Sequence, residues 1–235
     1  MASGGGTEGT IPGLASYTTE ELHAAVHKAH HFHLLTAAHC RAKESMIRAI
    51  EAGVDLMEHA EFLETDDQMH FDPSIAEMME ESGIWISPTL QSWTHYPRIV
   101  ELKAKLKDEN ISISEEAELQ DLERRAENRL DVMRCMLDYD LRDRIVPGTD
   151  SRVNNLAFGH LDYDLQLLAQ VGFTPAETLI AATRISAEAI GLDNEIGTIQ
   201  PGKVADLVAF DGDPTVDVDA FSCVVAVFQA GCQIK

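Results

Sequence analysis

Along the first 150 residues, hydrophobic and polar positions switch between a period near 3.6 residues and short unbroken apolar runs. SYTTEELHAAVHKAHH has Thr18 or Thr19 as a cap and acidic residues in its first turn, then runs on helical spacing through Leu22, Val26 and Ala29, which predicts a helix. FHLLTAAHC follows as a short strand. The alternation repeats: KESMIRAIEAG is a helix closed by Gly53, VDLMEHA a strand, DPSIAEMMEESG a helix with Pro73 in its first turn and Gly83 at its end, and IWISPTL a third strand. Residues 97–142 are charged and helical, RIVPGTD is a fourth strand, and helices are expected near 157–170, 175–182 and 184–190. Apolar strands separated by helices imply a parallel sheet with covered faces, so the fold class is α/β. From about Gly197 the pattern becomes β-rich without helix, dividing the chain into a main body, 1–196, and a small β element, 197–235.

Composition narrows the function. A chain of 235 residues can bury a sizeable core. Eighteen basic against forty acidic residues give a net charge of −22, which disfavours nucleic acid and anionic membrane as partners. No run approaches the roughly 18 apolar residues of a membrane span. The cysteines (Cys40, Cys135, Cys223, Cys232) form no CxxC pair, and the start shows no basic region followed by an apolar one, so the expected location is a reducing cytoplasm.

Three predicted strands end in metal-ligand residue types: His39 after LLTAA, His59 after VDLME and Asp150 after RIVPGT. Taken singly, either histidine reads as a hydrogen-bonded core residue and Asp150 as a turn or cap. Their coincidence at the C-terminal edge of a parallel sheet, where such folds place their chemistry, suits zinc or a similar divalent ion. His31 and His33 lie at the other end of the first strand, roughly 20 Å from His39 by strand rise, and read as a solvated corner. The Gly4–Gly5–Gly6 run lacks a following Lys-Ser/Thr and reads as a turn. Cys40 reads as a packing thiol, Met78, Met79, Met133 and Met136 as core-facing, and the carboxylates from Glu58 to Asp67 as a solvated acidic loop.

The pieces TAAHC, AIEAGVDLMEHA, GIWISPTL, VPGTDS, GHLDYDLQLLAQVGFTPAETLIAAT and IGTIQPGKVADLVAFDGDP resemble, in order and over nearly the whole chain, the amidohydrolase superfamily of metal-dependent hydrolases, especially its imidazolonepropionase-like and prolidase-like members. The resemblance implies the C-terminal half of a TIM-type (β/α)8 barrel, strands five to eight, with part of a small β-sandwich. It also implies His39 and His59 as metal ligands ending strands five and six. Asp150, ending strand eight, would bind metal and take the proton of the attacking hydroxide. The implied cofactor is a divalent metal, zinc, as one or two ions in the complete enzyme. The implied reaction is hydrolysis of a carbon–nitrogen bond in an amide, dipeptide or cyclic amide. His160 matches a histidine that follows the strand-eight loop in relatives and either touches substrate or packs. Loop residues Thr89, Gln91, Trp93, His95, Tyr96, Arg152, Asn154 and Asn155 would line the pocket, with Gln91, Tyr96, Arg152 and His160 the substrate-binding candidates.

The departures are specific. The family's strand-one His-x-His and strand-four lysine have no counterpart, so the chain reads as incomplete and little active alone. Where relatives often read His-Ala-His-Gly, this chain has His39-Cys40-Arg41-Ala42. Unpaired strand edges would favour self-association or a homo-oligomer. A second reading, a non-catalytic scaffold, does not explain ligand types on three strand ends.

Overall fold

The computed structural model describes residues 2–5, 8–151 and 156–235. Helix α1 (Thr19–His31) starts from Thr18, whose hydroxyl accepts the Glu21 N–H while the Glu21 carboxylate accepts the Thr18 N–H. The chain then turns at His33, in left-handed conformation (φ 57°), and runs exposed through Leu34 and Leu35. Strand β1 (Ala37–Ala42) therefore begins later than its apolar sequence predicts, and His39 lies within it rather than at its end. His31 and His33 sit at the exposed corner expected of them. Helix α2 (Lys43–Glu51), strand β2 (Leu56–Leu63), helix α3 (Pro73–Ser82) and strand β3 (Trp85–Ser87) follow, with Asp72 capping α3 and Gly83 closing it in left-handed conformation.

The three strands form a parallel sheet in the order β1-β2-β3, with His39 opposite Glu58 and Glu58 opposite Ser87. Strand alternation sends Ala38, Cys40 and Ala42 into the packed core and His39 and Arg41 to the opposite face. Cys40 is a packing thiol, as expected, and burial pushes it up to about 12. The outer edge of β1 is not bare, because Ala2 and Ser3 donate their N–H groups to the His39 carbonyl and the Ser3 hydroxyl accepts the Arg41 N–H. The segment from Glu58 to Asp67 is not the solvated loop its charge suggested. Its first half is strand β2, with Glu61 only 1 % exposed.

The fourth strand reduces to one parallel bridge between Ile86 and Ile145, closed by the Val146 N–H on the Ile86 carbonyl. Pairing stops there because Pro147 has no N–H to donate and Gly148 gives its own to Asp164. Gly148 passes so near Ser87 that a Cβ would lie 2.4 Å from the serine oxygen.

Residues 97–142 are not one helix. After α4 (Leu90–Trp93) come α5 (Tyr96–Lys107) and α6 (Ile113–Met136), separated at Ser112, which starts α6 with a capping box to Glu115. The core joins α2, α3 and α6 beneath the sheet, with Met79, Met133 and Met136 fully buried and Met78 half-buried. Helix α7 (Leu161–Gln170) begins after His160, and α8 (Pro175–Ile180) continues through a π-helical turn, Ala181–Ile185, into α9 (Ser186–Ala189), where two separate helices were expected. The tail is β-rich but not free of helix: β4 (Leu207–Phe210), β5 (Val224–Gln229) and β6 (Cys232–Gln233) form a separate antiparallel sheet, with a 3-10 turn at Val218–Ser222 before β5. Among the described residues, no helix is long and apolar enough to cross a membrane.

Candidate active site

A cavity of about 480 Å³ lies against the face of the sheet that carries His39, and its wall includes Glu58, His59, Thr89 and Asp150. The backbone is unusual at three of these positions. His59, Thr89 and Asp150 all have positive φ (73°, 48° and 47°), His59 one residue past the last β2–β3 pair and the other two beyond the sheet. For non-glycine residues, and for β-branched Thr89 above all, this conformation persists only where surrounding contacts impose it.

Arg129 of α6 supplies such contacts. Its guanidinium, 1 % exposed, donates to the carbonyls of His59, Ala60 and Pro88, tying the middle of β2 to the residue that follows β3. Asp164 of α7 does the same for the loop carrying Asp150: its two oxygens accept the N–H groups of Gln91 and Gly148, both at 3.1 Å. Burial raises the Asp164 carboxyl to about 7 despite those bonds.

Hydrogen bonding fixes the two imidazoles. Trp93 Nε1, which can only donate, points at His59 Nδ1 across 3.0 Å, and the Thr89 hydroxyl lies 2.7 Å from the same nitrogen. His59 Nε2 therefore carries the ring proton and donates to His39 Nδ1 at 2.7 Å. His39 Nε2 in turn donates to the Gly4 carbonyl at 3.2 Å. Both rings are neutral in this chain of bonds. Burial holds both below the usual histidine range, His59 at about 3, where the Arg129 and Arg41 charges add to the effect. Asp150 accepts a hydrogen bond from the Ser92 hydroxyl at 3.2 Å, and burial raises its carboxyl against that bond and the neighbouring His39. Burial also raises Glu58, with the Asp150 charge adding to it.

As donors, two imidazoles and a carboxylate suit zinc. Positions fit less completely. His39 Nδ1 and His59 Nε2 face one another, but tetrahedral ligands at about 2.0–2.1 Å from zinc stand roughly 3.3 Å apart, so the rings must part slightly and the His59 proton must move to Nδ1. Among the described residues, no three His, Cys, Asp or Glu side chains gather closely enough to hold a metal ion.

The other candidates lie elsewhere. Gln91 is buried outside the cavity wall with its Nε2 unpaired. Tyr96 packs on Tyr163 and bonds Gln166 and Gln170, while His160 is exposed and stacked on Tyr163. Arg152, Asn154 and Asn155 fall outside the described residues. Arg129 and Asp164 escaped the sequence reading. Both carried a legible signal, since Arg129 shares the helical face of Ala126, Val132, Met133 and Met136, and Asp164 that of Leu161, Leu165 and Leu168.

Known proteins sharpen the picture. Ochratoxinase from Aspergillus niger is 26 % identical over 223 residues, covering 94 % of this chain and 42 % of that protein. An imidazolonepropionase from Geobacillus sp. (strain WCH70) is 57 % identical over a shorter stretch of 42 residues, 18 % of this chain and 10 % of that protein. Among solved structures, a Xaa-Pro dipeptidase with methionine bound in its active site superposes with a TM-score of 0.76 at 25 % identity, over 100 % of this chain and 53 % of that one. The chain thus spans about half the length of the relatives it matches along its whole length. The model of the amidohydrolase family matches residues 1–233, the sheet with its histidines and the β-rich tail alike, and the chain belongs to that family.

Proposed function

We propose that this chain carries the metal-holding and proton-handling part of a hydrolase that cleaves carbon–nitrogen bonds in a small amide or dipeptide. The observation behind the reading is that His39, His59 and Asp150, from three separate segments, border one cavity, two of them at strained left-handed positions. Names of relatives that share this fold, ochratoxinase and Xaa-Pro dipeptidase, support an amide-type substrate. The architecture that goes with this reading is half of a (β/α)8 barrel, residues 1–196, followed by strands of a small β-sandwich, residues 197–235.

In this reading His39, His59 and Asp150 would hold a divalent ion, zinc by donor type, once their side chains draw closer than they stand here. Such an ion supplies Lewis acidity, polarising the amide carbonyl and making water ionisable near neutral pH. The remaining work belongs to the protein. Asp150 would accept a proton from the attacking water and deliver it to the leaving nitrogen. Ser92 orients that carboxylate, and Arg129 and Asp164 hold the segments that present His59 and Asp150.

Calorimetric zinc titration and an assay on N-acyl amino acids and dipeptides test the reading, using the chain with any in-frame sequence upstream of Met1. Asp150→Asn should keep the melting profile and lose about 10²–10⁴-fold in turnover, since an amide cannot accept the proton. Full turnover in that variant would sink the proposal. A chain that binds no zinc and hydrolyses nothing would instead support the scaffold reading, which the lack of a three-ligand group among the described residues favours.

A further inference from the structure

Five of the ten histidines lie between His23 and His33, at and just beyond helix α1. Three of them are spoken for. His30 Nε2 stands 2.8 Å from the Asp55 carboxylate, which also accepts from Thr36, His31 packs its ring edge-on against Phe32 at 5.1 Å, and His33 makes the turn that follows. His23 and His27 remain, one helical turn apart. Their ring centroids are 6.2 Å from one another and their planes only 21° apart. Both side chains are exposed, and neither makes a hydrogen bond among the described residues.

The helix sets this pair in place. Leu22 and Val26 pack on the core, and the residue after each of them is turned about 100° away, toward solvent. The capping box at Thr18 fixes the start of the same helix, so the spacing exists before any ligand arrives. Two imidazoles at i and i+4 on one helix face form the spacing that clasps a metal ion. Their nitrogens would stand about 2.0–2.1 Å from a shared ion, and turns about the broad χ2 of histidine close that gap. The surroundings favour a cation. Glu20 lies a turn earlier on the same face, Ala24 beside the pair has no bulk to crowd an ion, and the Lys28 ammonium is held over the Phe32 ring at 4.8 Å. The chain as a whole carries a net charge of −22.

We infer that His23 and His27 form a second metal site, a two-imidazole clasp for copper(II) on the solvent face of α1, apart from the cavity that holds His39 and His59. Donor chemistry names the ion. Imidazole nitrogen suits copper, nickel and zinc, whereas calcium and magnesium take oxygen, and copper binds most tightly in the divalent series. Because no three such side chains gather among the described residues, the pair fills two positions on the ion and leaves the others to water. The site stands whether or not the chain hydrolyses an amide.

The probe is copper(II) iminodiacetate, titrated calorimetrically into the chain near neutral pH. Its own chelator leaves adjacent positions free for an exposed pair, while its bulk keeps it from His59, only 5 % exposed. One equivalent should bind. His23→Ala and His27→Ala should each weaken binding at least about tenfold, since even the groups standing behind a metal's ligands are worth about 10–100-fold. Alanine favours helix, so both variants should keep the parent's circular dichroism. Combining His27→Ala with Ala25→His keeps the number of histidines but moves the second ring to the other side of the helix, and this chain should bind as weakly as His27→Ala alone. His31→Ala and His33→Ala should bind like the parent. No binding by the parent, undiminished affinity in the variant with the moved histidine, or a loss confined to His31→Ala or His33→Ala overturns the inference. With His23 and His27 both replaced by alanine, a zinc titration reports on the sheet cavity alone, so the failure of either site leaves the other to be judged separately.

Discussion

Trp93 donates its indole N–H to Nδ1 of His59 across 3.0 Å, and an indole nitrogen can do nothing but donate. The bond places the imidazole proton on Nε2, the nitrogen that faces His39 and that a metal would need. Trp93 therefore holds His59 in the tautomer that does not ligate. In Trp93→Phe the proton can move to Nδ1, with the Thr89 hydroxyl at 2.7 Å as its acceptor. Zinc affinity measured by calorimetry should rise about tenfold, the equivalent of one net hydrogen bond no longer opposed. Unchanged affinity would show that the indole has no hold on the tautomer.

His59 also makes a prediction in pH. Its folded value of about 3 lies below the ordinary 6.5, so the unfolded chain binds the proton first as pH falls. The stabilisation is complete above pH 6.5 and is lost progressively between 6.5 and 3. The difference in unfolding free energy between the parent and His59→Gln should shrink over that window by up to about 1.4 kcal/mol per pH unit. Urea melts at pH 7, 6 and 5 measure it, and a difference that is flat in pH would count against a neutral buried imidazole.

Arg129→Met should cost about 3 kcal/mol or more, because the carbonyls of His59, Ala60 and Pro88 lose this donor while remaining under the same helix. Arg129→Lys should recover less than half of that, since a single ammonium lacks the fork that spans β2 and β3. Chemical denaturation reads both, and a lysine variant as stable as the parent would show that charge alone suffices.

His31→Ala and His33→Ala should leave zinc binding near the sheet unchanged within error. Both residues are exposed at the corner before β1, on the far side of Leu34 and Leu35 from His39. Loss of the calorimetric zinc signal in either variant would move the metal site to the wrong end of the strand.

The sequence alone determined what local chemistry decides. Thr18 starts a helix because its hydroxyl stands three residues before a glutamate, and Gly83 ends one because it enters the left-handed region without strain; the same cap at Ser112 went unread inside a long charged stretch. His39, His59 and Asp150 stood out because ligand residue types recurred in a repeating pattern, and the structure sets all three on one cavity, though with both histidines inside their strands rather than at the ends. Tertiary structure decided the rest. The apolar run through Leu34 and Leu35 looks like strand, yet without a partner beside it, it stays exposed, and pairing begins at Ala37. RIVPGTD has the composition of a strand, but strand formation depends on where each N–H goes, and that of Gly148 goes to a carboxylate sixteen residues along the chain. Arg41 and Glu61 read in sequence as ordinary surface charges, and Arg129 and Asp164 as charges on the apolar faces of their helices. Only packing could show what these groups pair with, because burial and charge balance belong to neighbours brought together from distant parts of the chain.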